Sequence, residues 1–252
     1  MDQPIRIIGS FLSPYVRKVL VALELKGLQY QVDSITPFYG NDEFTRLSPL
    51  RRIPVLIDDR VTLCDSTVIC EYLDERFPAP PLRPRSAELR ARARWLEEYA
   101  DTRMGDVCIW HYFFQLVVRR AVWQEAPDEA IVRRAREVEL PEVLDYLERE
   151  LPATGLLFES LSVADIAIVS MLRNAAVARY VIDATRWPRT AAFYEHVMTL
   201  PPFSRLKHFE DQLIGVPIAE RRARLLAAGA PLTATTLAEP TPRRSIMLPR
   251  SP

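Results

Sequence analysis

The sequence predicts two domains of different class, an α/β domain at the N-terminus and an all-α domain after it. Three observations carry this reading. Short β-branched runs alternate with helical patterns through residues 1–80, the stretch Pro78-Ala79-Pro80-Pro81-Leu82-Arg83-Pro84 then interrupts every regular pattern, and beyond it no strand signal competes with stretches rich in Ala, Leu, Arg and Glu. A segment so rich in proline continues neither a helix nor a central strand, so the boundary falls there. With 252 residues the chain is long enough to bury a core in each of two modest domains.

Residues 5–9 read as a short apolar strand and 10–13 as a loop. Pro14 then opens a helix with Val16, Val19, Leu20 and Leu23 on one stripe, and Gly27 ends it. Tyr30, Val32 and Ile35 alternate with polar residues, which predicts a second strand; residues 36–52 are read as a long loop. Ile53 to Ile57 and Val61 to Cys64 form two short apolar runs around the turn residues Asp58-Asp59, a hairpin. Pro54 stands at the entry of the first run, where its fixed φ and missing N–H would spoil a ladder unless the chain turns sharply. A cis Ile53-Pro54 bond would make that turn and leave the Ile53 N–H and C=O facing outward, free to pair with an extended, peptide-like ligand. Asp65-Ser66 then opens a helix with Val68, Ile69, Tyr72, Leu73 and Phe77 on one face, and its N-terminus offers an anion site. Strand, helix, strand, hairpin and helix together make a thioredoxin-like arrangement.

In the second domain, predicted over 86–217, residues 87–120 and 131–150 read as helices, the first with an aromatic cluster from Trp110 to Phe114. Ser162-Val163-Ala164-Asp165 has the spacing of a capping box before an apolar helix, with Leu161 and Ile166 placed as its staple. Residues 190–199 form a further helix stopped by Pro201-Pro202. Residues 219–228 predict a short basic helix ended by Gly229, and the tail within 218–252 is expected to be disordered or to wrap as a strand on another subunit.

Lys plus Arg equals Asp plus Glu at 33 each, so charge points to no nucleic-acid partner. The three cysteines, Cys64, Cys70 and Cys108, form no close pair and no metal-ligand spacing with the three histidines, which predicts no metal and a reducing, cytoplasmic setting. No stretch approaches membrane-spanning length and no leader pattern precedes the first strand, so neither a membrane nor export is expected.

The stretch Ser48-Pro49-Leu50-Arg51-Arg52-Ile53-Pro54-Val55-Leu56, followed by Asp65-Ser66, resembles the glutathione-binding half of the cytosolic glutathione transferase superfamily. There a loop of the type Asn-Pro-x-Gly-Lys-Val-Pro-x-Leu leads into a cis-proline and an acidic-Ser pair follows the next strand; here Ser replaces Asn, Arg51 replaces Gly and Arg52 replaces Lys. The Ser-x-Ala-Asp-Ile pattern from Ser162 extends the resemblance into the helical half. The resemblance implies that glutathione is a co-substrate, that the Ile53 backbone beside Pro54 holds its cysteinyl part, that Ser66 and the helix N–H groups hold the γ-glutamyl carboxylate, that Asp65 holds the amino group, and that Arg52 lies near a carboxylate. It resembles the serine-type, bacterial-like members, in which the Ser of a Ser-Pro-Tyr/Phe motif stabilises the glutathione thiolate; that role falls to Ser13, with Ser10 and Tyr15 as alternatives. Read without the resemblance, Ser13 is equally an N-cap, and Asp65-Ser66 equally a helix start.

Two functions follow: a glutathione transferase conjugating a small electrophile in detoxification, or a non-catalytic relative serving in ligand binding or assembly. Thiol-disulfide exchange would need a cysteine where Ser13 stands. A homodimer is implied by the resemblance. The acceptor wall would lie on the face shared by Asp101, Met104, Gly105, Cys108 and Tyr112, if the long helix is continuous.

Overall fold

The structure, a computed structural model, describes residues 4–244. The chain folds into two compact units, the first made of residues up to Pro80 together with those from Leu206 onward, the second spanning Pro81–Arg205.

In the first unit β1 (Ile5–Ile8), β2 (Tyr30–Asp33), β3 (Val55–Ile57) and β4 (Thr62–Cys64) form one sheet in the order β2-β1-β3-β4. β1 runs parallel to β2 and antiparallel to β3, which pairs antiparallel with β4. A parallel pair needs a crossover, and α1 (Pro14–Leu25) supplies it. The predicted stripe Val16, Val19, Leu20 and Leu23 is buried completely. Asp58 closes the β3–β4 hairpin, its Oδ1 accepting from the N–H groups of Arg60 at 2.8 Å and Val61 at 2.9 Å. α3 (Ser66–Arg76) follows β4 and packs against α1. The thioredoxin-like α/β arrangement is therefore present.

The segment read as a loop over 36–52 carries more structure than predicted, a 3₁₀ turn at Pro37–Tyr39 and α2 (Asp42–Leu47). Asn41 caps α2, accepting from Phe44 N at 2.9 Å, and Asp42 and Glu43 favour its first turn. The sequence carried this start signal, but a helix so short gives no apolar periodicity.

The second unit is all helical among the described residues: α4 (Ala87–Tyr99), α5 (Glu129–Arg134), α6 (Leu140–Glu150), α7 (Val163–Val177) and α8 (Pro188–Thr199), with wider π-type segments at Ala100–Trp123 and Ala135–Glu139. The capping box at α7 forms as predicted. The Asp165 carboxylate accepts from Ser162 N at 2.9 Å, from the Ser162 hydroxyl at 2.5 Å and from Leu157 N at 2.8 Å. It thereby ties the 151–162 connection to the most buried helix of the unit.

Two expectations are corrected at the C-terminal end. Pro201-Pro202 stops α8 but also opens α9 (Pro201–Asp211), because proline is tolerated in a first helical turn. From Leu206 the chain belongs to the first unit, where the Phe209 ring lies 5.4 Å from that of Phe11 and Glu210 forms a fully buried ion pair with Arg17 of α1. The helical domain therefore ends before the predicted 217.

The expected tail of 218–252 also differs. α10 (Ile218–Ala227) and its Gly229 stop are as predicted, but the described residues after them are structured against the chain's own first unit. They run along β2, with Val32 N donating to Pro231 O at 2.7 Å and Thr233 N to Val32 O at 3.1 Å. β2 is an edge strand, and an open edge leaves a row of backbone groups to satisfy. The chain's own tail satisfies part of it; residues 245–252 lie outside the described residues.

Breaking a buried ion pair on one side strands the other charge. Glu210→Leu should destabilise the protein by about 3–5 kcal/mol, whereas Arg17→Met combined with Glu210→Leu should recover most of that loss. Thermal or urea denaturation of the single and double variants checks this.

Candidate functional site

The sheet register gathers the candidate residues at one end. Ile8 faces Asp33 on one side and Val55 on the other, and Val55 faces Cys64. One step beyond that row lie Gly9, Pro54 and Asp65, and one step further Ser10, Ile53 and Ser66. Neighbouring strands are about 4.8 Å apart, so three loops distant in sequence become adjacent. α1 and α3 both begin here, so their N-termini, each with free N–H groups and the positive end of a dipole, open from the same end of the sheet.

The packing of these loops is tight at Gly9. A Cβ there would lie 2.4 Å from Val16 Cγ2 and 3.2 Å from Ile53 Cβ, at a φ of +153°. Only glycine lets the exit of β1, the first turn of α1 and the Ile53 loop approach this closely.

Ser13 is the N-cap of α1, and its Oγ accepts from Val16 N at 3.4 Å. The cap uses a lone pair, so the hydroxyl proton stays available, and it has no acceptor among the described residues. Ser10 is buried at 5% exposure, with its Oγ accepting from Leu12 N at 3.2 Å. Tyr15 is half-buried in the first turn of α1.

The Ile53-Pro54 peptide is cis, as is Ala79-Pro80. Among the described residues no group hydrogen-bonds the Ile53 N–H or C=O. The approach to Ile53 is stapled by Ser48, buried at 1% exposure, whose hydroxyl donates to Arg52 O at 2.8 Å and accepts from Arg52 N at 2.9 Å. The Arg52 side chain is exposed and makes no hydrogen bond or ion pair among the described residues. Arg51 adopts φ +50°, which accounts for glycine at this position of the resembling motif. Its guanidinium turns inward, donating to Gly40 O at 2.8 Å and Pro37 O at 3.1 Å, and burial lowers its pKa. Sequence reasoning had given neither Ser48 nor Arg51 a role of its own, since their partners are backbone groups of the folded loop.

Asp65 sits at φ +78°, ψ 130°, unusual for a residue with a side chain, and caps α3 by accepting from Thr67 N at 2.9 Å and Val68 N at 3.2 Å. Such a conformation costs roughly 1–3 kcal/mol and persists where the surroundings impose it. Ser66 follows as the first helical residue, nearly buried, with no hydrogen bond from its hydroxyl among the described residues. Lys18 of α1, buried beneath, donates to Thr67 Oγ1 at 3.0 Å and links the two helix starts.

The expected acceptor residues lie in the helical unit, as the sequence predicts. They belong to the second unit, in a π-type segment whose wider turn does not preserve a 3.6-residue face. Met104, Gly105, Cys108 and Tyr112 are buried and Asp101 is half-buried. Tyr112 packs edge-on against Tyr180 at 5.8 Å between centroids and accepts from Arg136 Nη2 at 3.2 Å. Burial pushes the Cys108 thiol up to about 12 and raises that of Cys64, so both stay protonated near neutral pH. Among the described residues no group of His, Cys, Asp and Glu is arranged to hold a metal ion, and no helix is long and apolar enough to cross a membrane.

A thioredoxin-like unit with an exposed cis-proline loop and an acidic-Ser helix start, followed by an all-α unit, defines a glutathione transferase fold. Residues 8–81 match the family model of the glutathione S-transferase N-terminal domain and residues 128–196 that of the C-terminal domain. The chain belongs to the glutathione transferase superfamily. It is 29% identical to glutathione S-transferase 3 of Zea mays, over 80% of this chain and 92% of that one. It is 41% identical to a stringent starvation protein A homolog of Haemophilus ducreyi, over only 32% of this chain and 37% of that protein. A solved glutathione S-transferase from Rhodospirillum rubrum F11 superposes with a TM-score of 0.74 at 28% identity, covering 80% of this chain and 91% of that one.

The two roles of Asp65 are separable. Asp65→Ala removes the α3 cap and should destabilise the protein by about 0.5–2 kcal/mol, while Asp65→Asn, an equally good cap that tolerates positive φ, should stay near wild type in thermal denaturation.

Proposed function

We propose that the protein is a glutathione transferase of the serine type, which binds reduced glutathione at the end of the first unit's sheet and conjugates it, through its thiolate sulfur, to a small electrophile. The observation that carries this is the pairing of two unused groups: the Ser13 hydroxyl proton at the α1 N-terminus and the open Ile53 backbone beside Pro54. In this reading Ile53 pairs with the cysteinyl backbone, like an added strand. Ser66 and the α3 N–H groups take the γ-glutamyl carboxylate, Asp65 takes the ammonium, and Arg52 contributes a cation beside the peptide. A free thiol is mostly protonated at neutral pH, so a donor must favour the anion. Ser13 supplies one, aided by the helix dipole; Ser10 is less suited because it is buried, whereas Ser13 caps the α1 N-terminus half-exposed.

The acceptor is a small electrophile of unassigned identity, and the protein acts as a cytoplasmic homodimer without metal. Similarity to a maleylacetoacetate isomerase of Mus musculus, 25% identical over 74% of this chain, makes glutathione-dependent isomerisation a variant of the same thiolate chemistry. The non-catalytic alternative keeps the binding site but makes Ser13 only a cap.

Reduced glutathione should raise the melting temperature as its concentration passes the dissociation constant. No shift at millimolar glutathione, with no heat in calorimetry, would sink the binding claim. Asp65→Asn should weaken binding while stability holds, because it removes the charge that meets the ammonium. Ser13→Ala should leave affinity nearly intact, raise the pKa of the bound thiol and lower turnover with a model electrophile roughly ten- to a hundredfold, as loss of a hydrogen bond of about 1.5–3 kcal/mol to a charge requires. A pH-rate profile of Ser10→Ala beside it decides between the serines. If neither substitution changes turnover, the non-catalytic reading takes over.

A further inference from the structure

The C-terminal segment 231–243 does more than cover a sheet edge. It reaches both loops of the candidate site from behind. Asp33, 3% exposed at the end of β2, accepts from Thr236 Oγ1 at 2.6 Å and from Leu237 N at 2.7 Å. The carbonyl of the same residue accepts from Gly9 N at 2.9 Å, at the start of the Ser10–Ser13 loop. Leu237 packs into the cluster formed by Ile8, Ile35, Phe44 and Val55, which Ile53 also joins. The segment then pairs with the loop that leads to Ile53: Asn41 N donates to Leu237 O at 3.0 Å, Glu239 N to Tyr39 O at 2.6 Å and Arg243 N to Phe38 O at 2.7 Å. Arg243 also meets Asp42 at 2.5 Å and Glu239 at 2.6 Å. Arg51 grips the same loop from its other end, through the Pro37 and Gly40 carbonyls and the Thr45 hydroxyl.

We propose that residues 231–243 form a positioning strap for the glutathione site, holding the 36–52 loop, and through it the Ile53 backbone, in the binding geometry. Without the strap the loop keeps α2, a helix too short to be stable alone, with its buried Phe44, the Ser48 staple and the Arg51 contacts, but it loses the backbone pairing at Phe38, Tyr39 and Asn41. A site whose competent state is only partly populated binds more weakly by that fraction. The strap acts on binding and not on the thiolate, since it touches the Ile53 side and reaches Ser13 only through Gly9. This inference rests on the glutathione reading above for its ligand, but not for the ordering of the loop.

Leu237→Pro in the full-length chain removes both the N–H that reaches Asp33 and the side chain that fills the cluster; Thr236→Val with Leu237→Ala is the milder second variant. Trypsin under native conditions reads the loop directly through cleavage after Arg46, Arg51 and Arg52. The expected result is faster cleavage at those sites with no matching rise in the second unit, a glutathione dissociation constant raised about tenfold if about a tenth of molecules remain competent, and a KM effect with kcat and bound-thiol pKa unchanged. If Leu237→Pro fails to fold, the milder variant gives the same readouts. Equal cleavage in folded variant and wild type overturns the strap. Faster cleavage with unchanged glutathione affinity overturns its positioning role. Should the wild-type chain bind no glutathione, the functional reading falls, and cleavage alone decides whether the strap orders the loop.

Discussion

At Gly9 the end of β1, the first turn of α1 and the Ile53 loop come so close that a single added carbon would collide with Val16. Everything at the candidate site hangs on that approach. It places the Ser13 cap beside the cis-proline loop, and the hairpin register then brings Asp65 alongside. The site is thus made of chain ends and backbone groups, held by a small sheet whose interior residues Ile7, Ile8 and Leu56 are fully buried. Precision comes from the sheet, and chemistry from what protrudes beyond its edge.

Two helices starting at one edge explain why so few charged side chains are needed there. Free N–H groups and aligned dipoles already favour an anion at each start. The buried Lys18–Thr67 bond fixes one helix start against the other. Asp65, forced to positive φ, puts its carboxylate at the α3 start, where it caps the helix and remains exposed to solvent. Cap and ligand contact are compatible, because a carboxylate has more lone pairs than the cap uses.

The first unit is not continuous in sequence. Its closing elements, the Arg17–Glu210 pair, the Phe11–Phe209 contact and the strand-like return along β2, come from beyond the helical unit. A buried carboxylate at Asp33, whose hydrogen-bond donors among the described residues are tail groups, makes that return specific. The edge of a small sheet, the arginine in a glycine conformation and the apolar cluster around Phe44 are all completed by local partners that sequence distance conceals.

The amino-acid sequence by itself determined the two-domain order, the strand and helix periodicities, the proline boundary near Pro80, the α7 capping box and the loop from Ser48 to Ser66, because each rests on neighbouring residues and local backbone preference. Those signals, together with the family resemblance carried by Ser13-Pro14-Tyr15 and the Ser48–Ser66 stretch, named Ser13, Ile53, Pro54, Asp65 and Ser66 as candidates. Only the tertiary structure decided that Ser48 staples the loop, that Arg51 turns inward, that Met104, Cys108 and Tyr112 are buried, and that the tail returns to β2. Each of these depends on partners distant in the chain, or on backbone carbonyls and an edge strand that present themselves only once the fold has formed, and composition alone gives a polar, proline-rich tail no preferred partner.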